Sequence, residues 1–194
     1  MVITQSVGLR KAVRSQKGFS LVEVSIVTAI VLLLAIIGIP AIGGYLVESK
    51  VPKVGEELAR FVLQTTINAT NVTAEPYADI DTAHFARLVR ESSIFSISES
   101  GGDVKVLHGL GAAGEVSVAS ADSGASFALT LSNVSHVACP SLASVMQRVA
   151  HTITVASDTQ GATEVKSATT PYNALNAESR CGQGDVNTFV FFAG

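Results

Sequence analysis

No tryptophan occurs in the chain, and aromatic residues make up only 6% of its 194 positions. Proteins that hold single-stranded nucleic acid stack bases on aromatic rings, and few rings are available here. Basic charge is scarce where a nucleic-acid surface would need it. Lys and Arg number 13 against 16 Asp and Glu. Four of the basic residues, Arg10, Lys11, Arg14 and Lys17, fall within the first 18 positions, which hold no acid. The remainder carries nine basic and 16 acidic side chains, a net charge of −7, which is a poor footprint for DNA or RNA.

Signals for catalysis are equally thin. His84, His108, His136 and His151 show no short metal-ligand spacing, so they read as surface or hydrogen-bonded histidines. No G-x-S-x-G elbow supports a nucleophilic serine. Gly109-Leu-Gly111-Ala-Ala-Gly114 matches a dinucleotide fingerprint by its letters. Such a site needs a helix opening on the glycines, whereas Glu115-Val-Ser-Val-Ala alternates like a strand, so a hairpin loop is expected. No catalytic residue, cofactor site or metal site follows from the sequence, and the chain does not read as an enzyme. Asn68, Asn71 and Asn133 begin glycosylation triplets, a pattern that arises often by chance, and the first two lie where helix packing is expected to hide them.

What the chain does have is a run of 24 residues without a charge, Val24 to Val47. As a helix it would reach about 36 Å, enough to cross a bilayer core of about 30 Å. It is too long for the core of an ordinary signal peptide and lacks a small-x-small cleavage site at its far end. The basic residues before it would stay on the cytoplasmic side, leaving the rest of the chain outside. Two features do not suit a plain anchor. Glu23 stands alone at the edge of the run, where an ionised carboxylate is costly without a partner. Gly38, Pro40, Gly43 and Gly44 weaken the helix at its centre, since proline removes a backbone hydrogen bond and each glycine costs about 1 kcal/mol relative to alanine. On these residues alone, a single-pass anchor with an interfacial glutamate and a kink remains an open alternative.

Beyond Val47 the period turns amphipathic. Val51, Val54, Leu58, Phe61, Val62, Ala69 and Val72 recur at helical spacing, with Lys53, Glu56, Glu57, Arg60 and Gln64 off that face. One long helix is expected from about Phe19 to Asn71, and Pro52 need not end it. A loop follows at 73–81, then a short helix over 82–91 with Asp81 as N-cap and Phe85, Leu88 and Val89 inward. Alternating segments around Ile94–Ser98, Val104–Val106, Val116–Val118, Phe127–Leu131, Thr152–Ala156 and Asn187–Ala193 read as strands, with a helix near 140–150. The fold class is therefore α+β: a long N-terminal helix packed on an antiparallel sheet domain.

Cys139 and Cys181 admit two states. In an exported domain a disulfide is expected, whereas in a cytosol they would be two buried thiols. Closing a loop of about 40 residues contributes roughly 4 kcal/mol on the chain-entropy model.

Gly18-Phe19-Ser20-Leu21-Val22-Glu23, preceded by a basic leader and followed by a long apolar helix, resembles the processing site of type IV pilins and related pseudopilins. The resemblance implies cleavage between Gly18 and Phe19 by a prepilin peptidase, N-methylation of the new terminus, and a role for Glu23 in neutralising the amine of Phe19 in a neighbouring subunit. The passage from Phe127 to Leu142, with Cys139 between strand and helix, resembles type IVb pilins, including those of conjugative pili, and Cys181 fits their second disulfide cysteine. Phe19 itself is more typical of the type IVa class. On this resemblance the chain divides into a cleaved leader (1–18), a transmembrane and filament-core segment (19–48), an amphipathic half-helix (49–72) and a pilin domain (73–194). The implied function is a pilus subunit that polymerises with itself. Its partners would be the peptidase, an inner-membrane platform, an assembly ATPase and a secretin. The precursor would sit in the inner membrane with a cytoplasmic N-terminus and a periplasmic domain, and the product in an extracellular pilus. A minor pilin or a secretion pseudopilin shares this N-terminal logic, and an anchored exoplasmic enzyme or binding domain is a third reading.

Overall fold

The computed structural model describes residues 18–69 and 74–194. The basic leader up to Lys17, together with Asn71 and Val72, lies outside the described residues. In chain order the elements are α1 (Leu21–Asn68), α2 (Thr82–Val89), β1 (Ser96–Ser100), β2 (Asp103–Leu107), β3 (Glu115–Ala121) and β4 (Ser126–Val134). They continue with α3 (Cys139–Met146), β5 (Thr152–Ala156), β6 (Thr163–Lys166), α4 (Ala174–Glu178) and β7 (Asn187–Ala193). Contacts divide the chain into two units, Met1–Pro40 and Ala41–Gly194.

The described part of the first unit is apolar helix whose side chains find no cover. Leu21, Val22, Ile26, Ile30, Leu33 and Ile37 are all exposed. The polar residues inside it are satisfied locally, because the Ser25 hydroxyl donates to Val22 O and the Thr28 hydroxyl to Val24 O, both at 2.8 Å. A helix that bonds its own polar groups internally is suited to an apolar surrounding.

The second unit contains the rest of α1 and the sheet domain. Val51, Val54, Leu58, Phe61 and Val62 are buried, each contributing roughly 1.5–3 kcal/mol if fully removed from water. Phe61 is the anchor: its ring meets Phe85 of α2 edge-on at 4.9 Å and Phe127 of β4 edge-on at 6.0 Å. Helix α2 begins where the sequence places it, with the Asp81 carboxylate accepting the His84 N–H at 2.6 Å, a bond that satisfies one orphan donor of the first turn. Its buried face is Phe85, Ala86 and Val89. Leu88, expected inward, is 41% exposed, because a helix this short presents only one narrow stripe to the core and Ala86 falls on it. Asn68, expected to be hidden, is likewise exposed at the end of α1.

All seven strands form one antiparallel sheet in the order β1-β2-β3-β4-β7-β5-β6. The C-terminal strand is thus inserted between β4 and β5. Those two strands run parallel to each other with β7 between them, so their connection needs a crossover, which α3 supplies. Strict alternation fixes the register. Phe127, Leu129 and Leu131 of β4 pair with Ala193, Phe191 and Phe189 of β7, and all six are buried. Slipping one residue would turn that whole set to the other face. Strand β6 and helix α4 were not anticipated: each is short, with Val165 and Ala177 as the only buried side chain in its element.

Candidate functional site

The chain enters α1 through Gly18, Phe19 and Ser20, which are non-helical and exposed. The first helical turn is tied by the Val24 N–H donating to Ser20 O at 3.1 Å. Phe19 is 81% exposed, so the Gly18–Phe19 bond lies in accessible, non-helical chain immediately before the helix. Glu23 is exposed in the first turn, where the positive end of the helix dipole favours a carboxylate. Among the described residues it forms no ion pair.

Among the described residues, the glycines at the centre of the apolar run have no packing reason. A Cβ at Gly38 or Gly43 would meet nothing within 4 Å, and one at Gly44 would make only an ordinary contact with Val137. The backbone is helical from Leu21 through Gly38, Pro40, Gly43 and Gly44 to Asn68. Gly55 is different. A Cβ there would stand 2.7 Å from Val145 Cγ1, so this glycine sets how closely α1 approaches α3. The amphipathic pattern gave no sign of it, since a glycine between buried positions reads only as a weak helix former.

The C-terminal region is held by a disulfide between Cys139, at the start of α3, and Cys181, after α4, with the Cα atoms 6.1 Å apart. Two polar residues that sequence reasoning missed, the buried Asn187 and the half-buried Lys166, complete it. Asn187, at the head of β7, accepts the Gly182 N–H at 2.7 Å and donates to Val134 O and Gly182 O at 3.0 Å. It therefore stitches the segment after Cys181 to the end of β4. Lys166 of β6 donates to Gln147 O at 2.5 Å and Ala150 O at 2.6 Å, satisfying carbonyls just past α3 with a cation, as the helix C-terminus favours.

The glycine-rich loop between β2 and β3 is structural in origin. His108 is buried beside it. Its Nδ1 accepts the Leu110 N–H at 3.0 Å, so the proton sits on Nε2, which donates to Ser132 O at 2.9 Å. Burial lowers its pKa from the ordinary value, opposed by the Ser132 bond and the Asp185 charge. Gly111 packs against Asn133 O and Gly114 against the His108 ring, leaving no room for a side chain at either position. A strand, β3, follows the loop, so the letters of the dinucleotide fingerprint carry no such site. Among the described residues no three His, Cys, Asp or Glu side chains group to hold a metal.

Comparison with known families gives two matches. Residues 13–39 match the prokaryotic N-terminal methylation motif, and residues 110–193 match the PilS N-terminal domain. No curated protein matches the sequence. Among solved structures the chain is similar to the crystal structure of type IV b pilin from Salmonella typhi, with 17% identity and a TM-score of 0.49 over 72% of this chain and 94% of that one. The two family matches fall at opposite ends of the chain, one on the N-terminal stretch with the apolar helix and one on the disulfide-bearing sheet domain, so the chain joins a prokaryotic N-terminal methylation motif to a region similar to the PilS N-terminal domain, in agreement with the resemblance to type IV pilins.

Proposed function

We propose that the chain is the subunit of a bacterial type IV pilus, cut after Gly18 by a prepilin peptidase, methylated on Phe19 and polymerised through α1. One observation carries the reading: an exposed apolar helix follows an accessible Gly18–Phe19 bond. Water cannot be the working environment of that helix. Fifteen exposed Ile, Leu and Val side chains between Leu21 and Leu46 would each forgo much of the roughly 1.5–3 kcal/mol of full burial, which a bilayer supplies before assembly and a filament core afterwards. In that core the new amine of Phe19 and the carboxylate of Glu23 would neutralise each other between neighbouring copies, since either charge buried alone is costly.

On this reading residues 1–18 are the leader, 19–48 the membrane and filament-core segment, 49–72 the half-helix attached to the sheet, and 73–194 the pilin domain. The precursor spans the inner membrane with its N-terminus cytoplasmic. A membrane platform, an assembly ATPase and a secretin would extrude the polymer. The disulfide-bounded region from Cys139 to Cys181 supports a pilus subunit over a secretion pseudopilin. Co-expression with a prepilin peptidase tests the first step: the product should begin at Phe19, and an unshortened chain would reject the reading.

A further inference from the structure

Between α1 and the β2–β3 loop lies a cavity of about 420 Å³, lined by Lys50, Lys53, Ser93, Gly109, Gly111 and Ala113 among others. Its charged lining is purely cationic. That sets it apart in an acidic chain: the cavity beside Tyr77 carries Glu75 and Asp79, and those beside Arg60, Arg90 and Arg148 each carry an acid. Elsewhere Arg60, Arg90 and Lys105 are paired with Glu57, Glu99 and Glu115, but among the described residues neither Lys50 nor Lys53 has an acid within 4.0 Å. Glu48 is close in sequence, but two residues of helix turn it roughly 200° away from Lys50.

The loop that closes the cavity presents unused donors. The amides of Gly109, Gly111 and Ala113 donate to no described residue, whereas Ala112 between them is bound to Asp185 at 2.6 Å. Gly109 has φ +64°, and a Cβ there would stand 3.5 Å from Lys50 Nζ, so lysine and loop backbone adjoin. The Lys50 ammonium beside unpaired loop amides, with Lys53 in the same lining, is the chemistry of an oxyanion site.

Position along α1 decides which oxyanion. The apolar stretch of this unit ends in exposed Ile42, Tyr45 and Leu46. An exposed tyrosine at the end of an apolar helix marks the membrane–water boundary. Lys50 follows Tyr45 by about 7.5 Å of helix rise, the outer edge of a headgroup layer about 5–7.5 Å deep on each side, and Lys53 stands about 12 Å on, just beyond it on a stem long enough to reach back. Resting on the membrane-held precursor described above, we propose that this cavity binds the phosphate of an anionic phospholipid headgroup. The contact holds the sheet domain against the bilayer until the helix leaves for the filament.

The test uses the full chain in nanodiscs of phosphatidylcholine, alone or with increasing phosphatidylglycerol, following the amide resonances of Gly109, Gly111 and Ala113. The site predicts a saturable shift on adding the anionic lipid. In Lys50→Gln/Lys53→Gln the half-saturating lipid fraction should rise roughly tenfold or more, while Lys105→Gln, a cation outside the cavity, should behave as wild type. No shift, or a shift unchanged in the double variant, overturns the proposal. So does a response to inorganic phosphate in detergent without one to the lipid, which would make the ligand a free anion. A shift that appears only in nanodiscs holding two copies would make it a carboxylate of a second chain, and also overturns the lipid assignment. Alkaline carbonate extraction of the same material separates the two levels: a chain that washes out fails the membrane reading itself, whereas an integral chain without the shift fails only this proposal.

Discussion

Gly55 of α1 and Val145 of α3 are in such close contact that a single added methyl at position 55 would reach 2.7 Å from Val145 Cγ1 and 3.1 Å from its Cβ. Val145 is β-branched and stiff at χ1, so the helices must part to admit the methyl. Gly55→Ala should therefore destabilise the domain by about 1–3 kcal/mol, although alanine is the better helix former. Thermal unfolding of the full chain in detergent should show a fall of several degrees. A stabilised variant would show that the contact yields freely.

Acid should loosen the domain through His108. Burial depresses its folded pKa below the ordinary value, so the unfolded chain takes up the proton first as the pH falls. Stability is therefore fully present above about pH 6.5, the unfolded value, and declines as the pH drops towards the folded pKa. Protonation would also place a proton on Nδ1, facing the Leu110 N–H that it now accepts. Denaturant titrations of wild type and His108→Gln between pH 7.5 and about 5 should show a slope in the first that is reduced in the second. Equal slopes would remove His108 from the account.

Glu23→Ala should leave cleavage after Gly18 intact while abolishing or sharply reducing filaments. Glu23 lies outside the scissile bond but supplies the carboxylate that would meet the Phe19 amine in the fibre. Peptidase processing by immunoblot and filament yield after shearing separate the two effects. Normal yield would contradict the proposed pairing.

The centre of α1 should lose helix on assembly. A side chain at Gly38 or Gly43 would meet none of the described residues, so each costs about 1 kcal/mol of helix propensity with no return from those contacts. A filament reconstruction should show broken hydrogen bonding somewhere between Gly38 and Gly44. A straight, fully bonded helix there would contradict it.

Much of the fold was legible because it rests on periodicity. Phe127, Leu129 and Leu131, and the terminal Asn187–Ala193, alternate so strictly that their strands were evident, and Asp81 marked the start of α2. The disulfide was readable only through an assumed export, since spacing alone allows two thiols. Short elements escaped: Thr163–Lys166 buries one side chain, and no period can be read from a single position. Asn187, His108 and Lys166 escaped for another reason. Their partners lie on other strands or past a helix end, so a polar residue's role waits on topology. The N-terminal methylation motif over residues 13–39 was the most legible part because its pattern is local, whereas the cationic cavity joins α1 to a loop more than 50 residues away and leaves no mark in the sequence.

The central claim is that the chain is cut at one bond and assembles through the terminus so created. Mass spectrometry of sheared surface filaments measures both at once. The dominant species should begin at a methylated Phe19 and retain the Cys139–Cys181 bond. Finding only the full-length chain, confined to the membrane fraction and absent from filaments, would contradict the claim.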